Sequence, residues 1–133
     1  MRFSVLAALV GLVGCCLVVA ENYELTEKDG LKTTTVKKGD TISVTLTGRK
    51  DTGDDEWDWS KPESDKVKNK VILERTDAAH DEEKDVTTAK FTAKAVGETT
   101  IHAVEGCVPK EGGSGLCSDA KLEWLHTVII KAK

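Results

Sequence analysis

Strict alternation of apolar and polar residues is the feature that most constrains the fold of this chain. In the segment "DTISVTLT" (40–47), Ile42, Val44 and Leu46 occupy every second position. A period of two places such side chains on one face of a β-strand. The same period recurs in "AKFTAKAV" (89–96) and "KLEWLHTVIIKA" (121–132), with these apolar positions: Phe91, Ala93, Ala95, Leu122, Trp124, Val128 and Ile130.

Further strands and turns complete an all-β pattern. The segments "LKTTTVK", "KVILE" and "TTIHAVE" are rich in β-branched residues, which favour strands. Turn-forming residues follow at 37–40, 96–99 and 110–116. No segment has a helical period, and "RTDAAHDEEKDV" (75–86) is interpreted as a charged loop. About six or seven strands predict an immunoglobulin-like β-sandwich over residues 31–133, preceded by a polar lead-in at 21–30.

The N-terminus has the layout of a secretory signal peptide. Met1-Arg2 is followed by an apolar run over residues 3–20, with the small residues Val18 and Ala20 before Glu21. We therefore predict a secreted, extracellular protein that is cleaved after Ala20. Two alternatives remain open: an uncleaved membrane anchor, and a lipoprotein in which "LVGC" (12–15) makes Cys15 the lipidated residue.

The charge of the remaining chain limits its partners. Without residues 1–20 it has 18 basic and 23 acidic residues, a net charge of −5. This balance argues against nucleic acid and against anionic lipid surfaces, because both attract basic proteins. We predict no membrane partner unless Cys15 is lipidated.

Two cysteines, Cys107 and Cys117, remain after the predicted cleavage. An even pair in a secreted chain predicts a disulfide bond. Such a bond would close a short loop and contribute on the order of 2–3 kcal/mol of stability in the chain-entropy model.

The sequence contains no convincing catalytic set. No serine lies in a glycine-flanked nucleophile elbow. His80 is interpreted as solvated in the acidic loop, and His102 and His126 as packed or surface residues of strands. The acids of 51–58 do not follow the alternate spacing of a calcium loop. We predict a protein that is not an enzyme and has no cofactor and no metal site.

Three segments are longer than a hairpin needs, and they are candidates for binding: 48–58, 76–85 and 107–118. In a sandwich the first and last of these are expected at the same end, where a rigid scaffold presents its binding loops. Trp57 and Trp59 are two residues apart and share a face, so we interpret both as core residues of the strand that follows the first loop.

The stretch "GDTISVTLTGRKDTGDDEWDW" (39–59) resembles the first loop of the chagasin family. In that family a GD-x-x-x-V-x-L strand precedes Asn-Pro-x-Thr-Gly-aromatic-x-Trp. Here Thr52-Gly53 occupy the Thr-Gly place and Trp57 the place of the tryptophan. The segments "FTAKAVGETTIHAVE" and "TVIIKAK" are similar to the family's later strands, so the resemblance covers residues 31–133.

The loops differ from the family pattern more than the strands do. Asn-Pro is absent, Asp54 replaces the aromatic residue, and 76–85 has no glycine. Val108-Pro109-Lys110 stands where the family has Arg-Pro-Trp.

The resemblance implies a secreted monomeric inhibitor that inserts loops into the active-site cleft of papain-like cysteine peptidases and does no chemistry. The implied peptidase-binding residues are Asp51, Thr52, Gly53, Asp54, Ala79, His80, Val108, Pro109, Lys110 and Gly112. The alternative function is an immunoglobulin-like adhesion or envelope-associated binding module, or a secreted effector, without peptidase inhibition.

Overall fold

The computed structural model describes residues 2–4, 19–48, 55–109 and 121–133. The described ranges contain ten strands and one short 3-10 helix. The strands are β1 (Arg2–Ser4), β2 (Glu21–Leu25), β3 (Thr33–Lys37), β4 (Thr41–Thr47), β5 (Asp55–Trp59), β6 (Glu63–Ser64), β7 (Leu73–Asp81), β8 (Val86–Ala93), β9 (Gly97–Pro109) and β10 (Lys121–Lys131). The 3-10 helix, Glu27–Asp29, lies between β2 and β3.

The strands form two sheets. The first sheet has the order β1-β2-β4-β8-β7, and the second has the order β3-β10-β9-β5, with β6 also paired to β9. The pairs β2–β4 and β3–β10 are parallel, and the other pairs are antiparallel. The predicted all-β, immunoglobulin-like sandwich is thus confirmed. Among the described residues there is no helix with the length and apolar character needed to cross a membrane.

The core lies between the inward faces of the two sheets, as the alternation predicts. Ile42, Val44 and Leu46 are completely buried. The other members of the predicted inward set that are buried are Phe91, Ala93, Trp124, Val128 and Ile130. Burial of these side chains is the main favourable term in the folding of such a sandwich.

Two members of the set are not buried: Ala95 is half-buried beyond the end of β8, and Leu122 has 52% of its surface exposed. The strand β3 pairs only with residues 127–131 of β10. Trp124 and His126 also precede this range and are buried, so the exposure of Leu122 reflects its position as the second residue of β10, at the end of the sheet.

The segment 75–86, which the sequence predicts to be a loop, is a β-hairpin, so that expectation was wrong. β7 and β8 pair up to Asp81 and Val86, with one register shift between Arg75 and Asp77, and only residues 82–85 form the turn. The side chain of Asp81 caps this turn by accepting hydrogen bonds from the backbone N–H groups of Glu83 and Lys84. β7 is an edge strand, and its many exposed polar residues hide the strand period in the sequence.

The lead-in at 21–30 contributes a strand to the first sheet. β2 pairs in parallel with β4, and its last residue, Leu25, is buried. The carboxylate of Asp40, itself buried, accepts hydrogen bonds from the backbone N–H of Glu21 at 3.0 Å and of Lys37 at 2.8 Å. This side chain therefore joins the first residue of β2 to the turn between β3 and β4.

We expect Asp40→Asn to lower the free energy of unfolding by about 1–3 kcal/mol. An asparagine offers one acceptor oxygen, so its amide N–H₂ would face one of the two backbone N–H donors. Urea denaturation of the purified protein measures the change. Asp65→Asn, at an exposed position, is the matched control. Equal midpoints for the two variants would contradict the anchoring role of Asp40.

Candidate functional site at one end of the sandwich

The β7–β8 turn lies at the same end of the sandwich as the last residues of β4 and β9 and the first residue of β5. Thr47, the last residue of β4, pairs with Val86, the first residue of β8. The turn 82–85 therefore lies beside the end of β4. Asp55, the first residue of β5, pairs with Pro109, the last residue of β9. The flanks of the segments 49–54 and 110–120 thus meet the β7–β8 turn at one edge, which we call the loop end.

The two tryptophans of β5, Trp57 and Trp59, are buried at the loop end. Trp57 is 5% exposed and Trp59 is 6% exposed, which confirms that both are buried. The indole N–H of Trp59 donates to the carbonyl oxygen of Thr47 at 3.1 Å. This bond joins β5 of the second sheet to β4 of the first at the loop end.

A second bond joins the sheets at this level. The hydroxyl of Thr87, which is 1% exposed, donates to the carbonyl oxygen of Trp59 at 3.1 Å. The same hydroxyl lies 2.7 Å from Nδ1 of His80, the cross-strand partner of Thr87. His80 is therefore half-buried in β7 and hydrogen-bonded, and the expectation of a solvated loop histidine was wrong.

Gly48 and Asp85 pack closely where β4 meets the turn. The N–H of Gly48 donates to the backbone carbonyl of Asp85 at 2.7 Å. A Cβ atom on Gly48 would overlap the Asp85 carboxylate and the Trp57 carbonyl oxygen. Asp85 has a φ of +52° and is 6% exposed. Only a glycine at 48 permits this approach, so the position of the Asp85 carboxylate is fixed by the backbone around it.

The described part of the loop end is acidic. Its side chains include Asp58, Asp81, Glu82, Glu83 and Asp85, and the turn 82–85 adds only Lys84 as a base. A surface of this sign attracts a basic partner and repels an acidic one.

The structure places some of the predicted binding residues. Ala79 is exposed in β7, and His80 is its half-buried neighbour. Val108 and Pro109 are the last residues of β9 and pair with Glu56 and Asp55. The remaining predicted residues lie outside the described residues: Asp51, Thr52, Gly53, Asp54, Lys110 and Gly112.

The predicted disulfide is described at one of its two positions. Cys107 lies half-buried in β9, where it pairs with Trp57. Cys117 lies outside the described residues. The Cys107–Cys117 bond therefore stays a prediction, with one half at the base of the loop end.

The other two histidines have structural environments. His126 is 1% exposed, stacks on Trp124 and lies 2.7 Å from both the Thr34 hydroxyl and the Asp29 carbonyl oxygen. His102 is partly exposed on β9, 3.9 Å from a carboxylate oxygen of Glu123. His126 is thus a packed residue and His102 a surface residue, which agrees with the interpretation of each as a packed or surface residue of a strand.

Sequence reasoning missed Gly48, Asp85 and Thr87. Each looks ordinary in its own segment, and they are separated by up to about forty residues. Only the pairing of β4 with β8 brings them together. The one local signal was an aspartate just before a strand, since aspartate is among the residues that tolerate a positive φ.

Comparisons with known proteins place the fold. No protein-family model and no curated protein matches this sequence. The structure is similar to that of the cysteine protease inhibitor EhICP2 from Entamoeba histolytica, with a TM-score of 0.54 and 21% identity over 83% of this chain and 95% of that chain.

Two other solved structures are less similar. Amebosin has a TM-score of 0.44 and 16% identity over 82% of this chain and 98% of its own. An inclusion body protein from Burkholderia cenocepacia has a TM-score of 0.48 and 16% identity over 77% of this chain and 60% of its own. At these identities the similarity concerns the fold alone, and this chain has the chagasin-like, immunoglobulin-like β-sandwich fold.

Proposed function

We propose that this chain inhibits papain-like cysteine peptidases by inserting its loops into the active-site cleft. The observation that carries the proposal is that the strand ends flanking the segments 49–54 and 110–120 lie at the same end of the sandwich as the β7–β8 turn. A cleft in a peptidase is filled best by several loops that project in the same direction from a fixed base. Function belongs to that end and not to the fold as such.

The base of the loop end is suited to holding loops in place. Two hydrogen bonds, from Trp59 to Thr47 and from Thr87 to Trp59, join the sheets beneath it. Because this base is buried, little conformational entropy remains to be lost there on binding. A disulfide between Cys107 and Cys117 would restrict the third loop in the same way.

The fold comparison gives independent support for a peptidase partner. A protein named as a cysteine protease inhibitor has the same fold over 95% of its length. In our proposal Thr52 and Gly53 enter the cleft, and the β7–β8 turn and the segment 110–120 flank it. The chain acts as a monomer, and the alternative function is binding to a host or envelope protein through the same end.

The acidic side chains of the loop end restrict the class of peptidase that would bind there. A cleft with a basic rim would be attracted to Asp81, Glu82 and Glu83. Electrostatic attraction of this kind raises the association rate and weakens at high salt. The proposed partner is therefore a papain-like peptidase whose cleft is bordered by positive charge.

We also propose that the protein is secreted after cleavage behind Ala20. Cleavage would remove β1, which pairs with residues 21–23 of β2. It would convert the backbone nitrogen of Glu21 into an ammonium group, 3.0 Å from the buried Asp40 carboxylate. A charged donor to a carboxylate makes a stronger hydrogen bond than an amide does, so the new N-terminus would be held by the fold.

We expect the wild-type protein to inhibit a papain-like peptidase reversibly, and Thr52→Arg to weaken inhibition by roughly 30-fold or more. That factor corresponds to the loss of a binding hot spot of about 2 kcal/mol. A large charged side chain in place of Thr52 would block insertion of the loop. The measurement is a titration of peptidase activity on a small fluorogenic substrate.

The matched control is Thr35→Arg, an exposed threonine of β3 at the opposite edge of the second sheet from β5. It should inhibit as the wild type does. Unchanged inhibition by Thr52→Arg would overturn the placement of Thr52. Absence of inhibition by the wild type at tens of micromolar would overturn the function and favour the adhesion or effector alternative.

We expect the secreted protein to begin at Glu21, because the cut behind Ala20 would leave β2 complete. Intact mass and N-terminal sequencing of protein recovered from the medium test this. A lipidated Cys15 at the N-terminus would favour the lipoprotein, and an uncut chain in the membrane fraction would favour the anchor.

A further inference from the structure

Three side chains with metal-binding donors meet at the loop end. They are Asp58 of β5, His80 of β7 and Asp85 of the β7–β8 turn. One ligand atom from each lies within 4.8 Å of the others. The three residues come from both sheets, so the cluster spans the edge of the sandwich between β5 and the β7–β8 hairpin.

The hydrogen bonds of His80 fix which ring nitrogen is available. The hydroxyl of Thr87 has one hydrogen, which it donates to the carbonyl oxygen of Trp59. It must therefore accept from His80, so Nδ1 of His80 carries the proton and Nε2 has the lone pair. A histidine that binds a metal through one nitrogen usually donates its other N–H in this way. The hydrogen bond from His80 to Thr87 thus leaves Nε2 of His80 with a lone pair that can bind a metal ion.

The two carboxylates differ in exposure, as a partly closed metal site requires. Asp85 is 6% exposed, while Asp58 and His80 are half-buried. The ion would therefore rest against the buried Asp85 and remain open to solvent on the other side.

The donor set selects the class of metal. Zn²⁺ combines imidazole nitrogen with carboxylate oxygen and takes four ligands, often three from protein and one from water. Ca²⁺ and Mg²⁺ prefer six or more oxygen ligands. Ligands about 2.0–2.1 Å from a tetrahedral ion lie roughly 3.3 Å apart. Small rotations of the half-buried Asp58 and His80 side chains would bring their atoms to that spacing.

We propose that Asp58, His80 and Asp85 bind one Zn²⁺ ion. The ion would join β5, the edge strand of the second sheet, to the β7–β8 hairpin of the first sheet at the loop end. It would stabilise the folded protein by mass action, because the three ligands are brought together only in the folded chain. The proposal does not rest on peptidase inhibition, since it concerns the protein alone.

The test is a calorimetric titration of metal-free, oxidised protein with Zn²⁺. We expect one ion per chain, and we expect His80→Gln and Asp58→Asn each to weaken binding by roughly 10- to 100-fold. Both residues are half-buried, so these variants should remain folded, which circular dichroism checks. Asp85 is left unchanged because its buried position and positive φ make a substitution there a test of folding.

The matched control is His102→Gln, which removes a partly exposed histidine that lies outside the cluster. It should bind Zn²⁺ as the wild type does. X-ray absorption of the bound ion should give nitrogen and oxygen ligands, and ¹⁵N shifts of His80 should place the metal on Nε2.

Four results would overturn the proposal. They are no binding by the wild type at about 1 mM Zn²⁺, wild-type affinity in His80→Gln, loss of binding in His102→Gln, and sulfur among the ligands. The first would mean that the three side chains meet without binding zinc. The last would assign binding to cysteine thiolates.

Discussion

The structure of the loop end depends on the hydrogen-bonded connection between the two sheets at Trp59. Its indole N–H reaches the end of β4, and its carbonyl oxygen accepts the hydroxyl of the buried Thr87 in β8. A sandwich held only by apolar contacts would allow its sheets to slide, because the hydrophobic effect has no direction. Two directed hydrogen bonds, of which the one from Thr87 is fully buried, fix one arrangement. The relative positions of β4, β5 and the β7–β8 hairpin follow from them.

This connection also explains why polar groups are concentrated here. Thr87 serves two partners at once, Trp59 and His80, and Gly48 admits the Asp85 carboxylate. Buried polar groups must be compensated, so each one restricts its neighbours. The result is a rigid base with an acidic outer surface. A rigid base suits a protein that binds through loops, and the same rigidity holds three potential ligands in place. The proposed inhibition of peptidases and the proposed binding of zinc therefore depend on the same rigid base, although each is tested independently of the other.

Strand residues were predicted well and edge residues poorly. Ile42, Val44, Leu46 and Phe91 are buried as their alternation indicates, since each lies in a central strand covered on both sides. Leu122 has the same phase but is the second residue of β10, at the end of the sheet. The segment 75–81 has no readable alternation because β7 is an edge strand with a register shift between Arg75 and Asp77. The alternation of apolar and polar residues predicts which face of a strand a side chain occupies. Burial also requires that other strands cover that face.

The sequence alone determined the all-β class, the inward face of each central strand and the burial of Trp57 and Trp59. These depend on periods of two, which are local properties of the chain. Only the tertiary structure decided that His80 is half-buried, that Gly48 contacts Asp85 and that Asp58 joins them. The pairing of β4 with β8 and the stacking of the sheets bring together residues that lie far apart in the chain. No local pattern records a contact of that kind, because its energy arises only when both sheets are assembled.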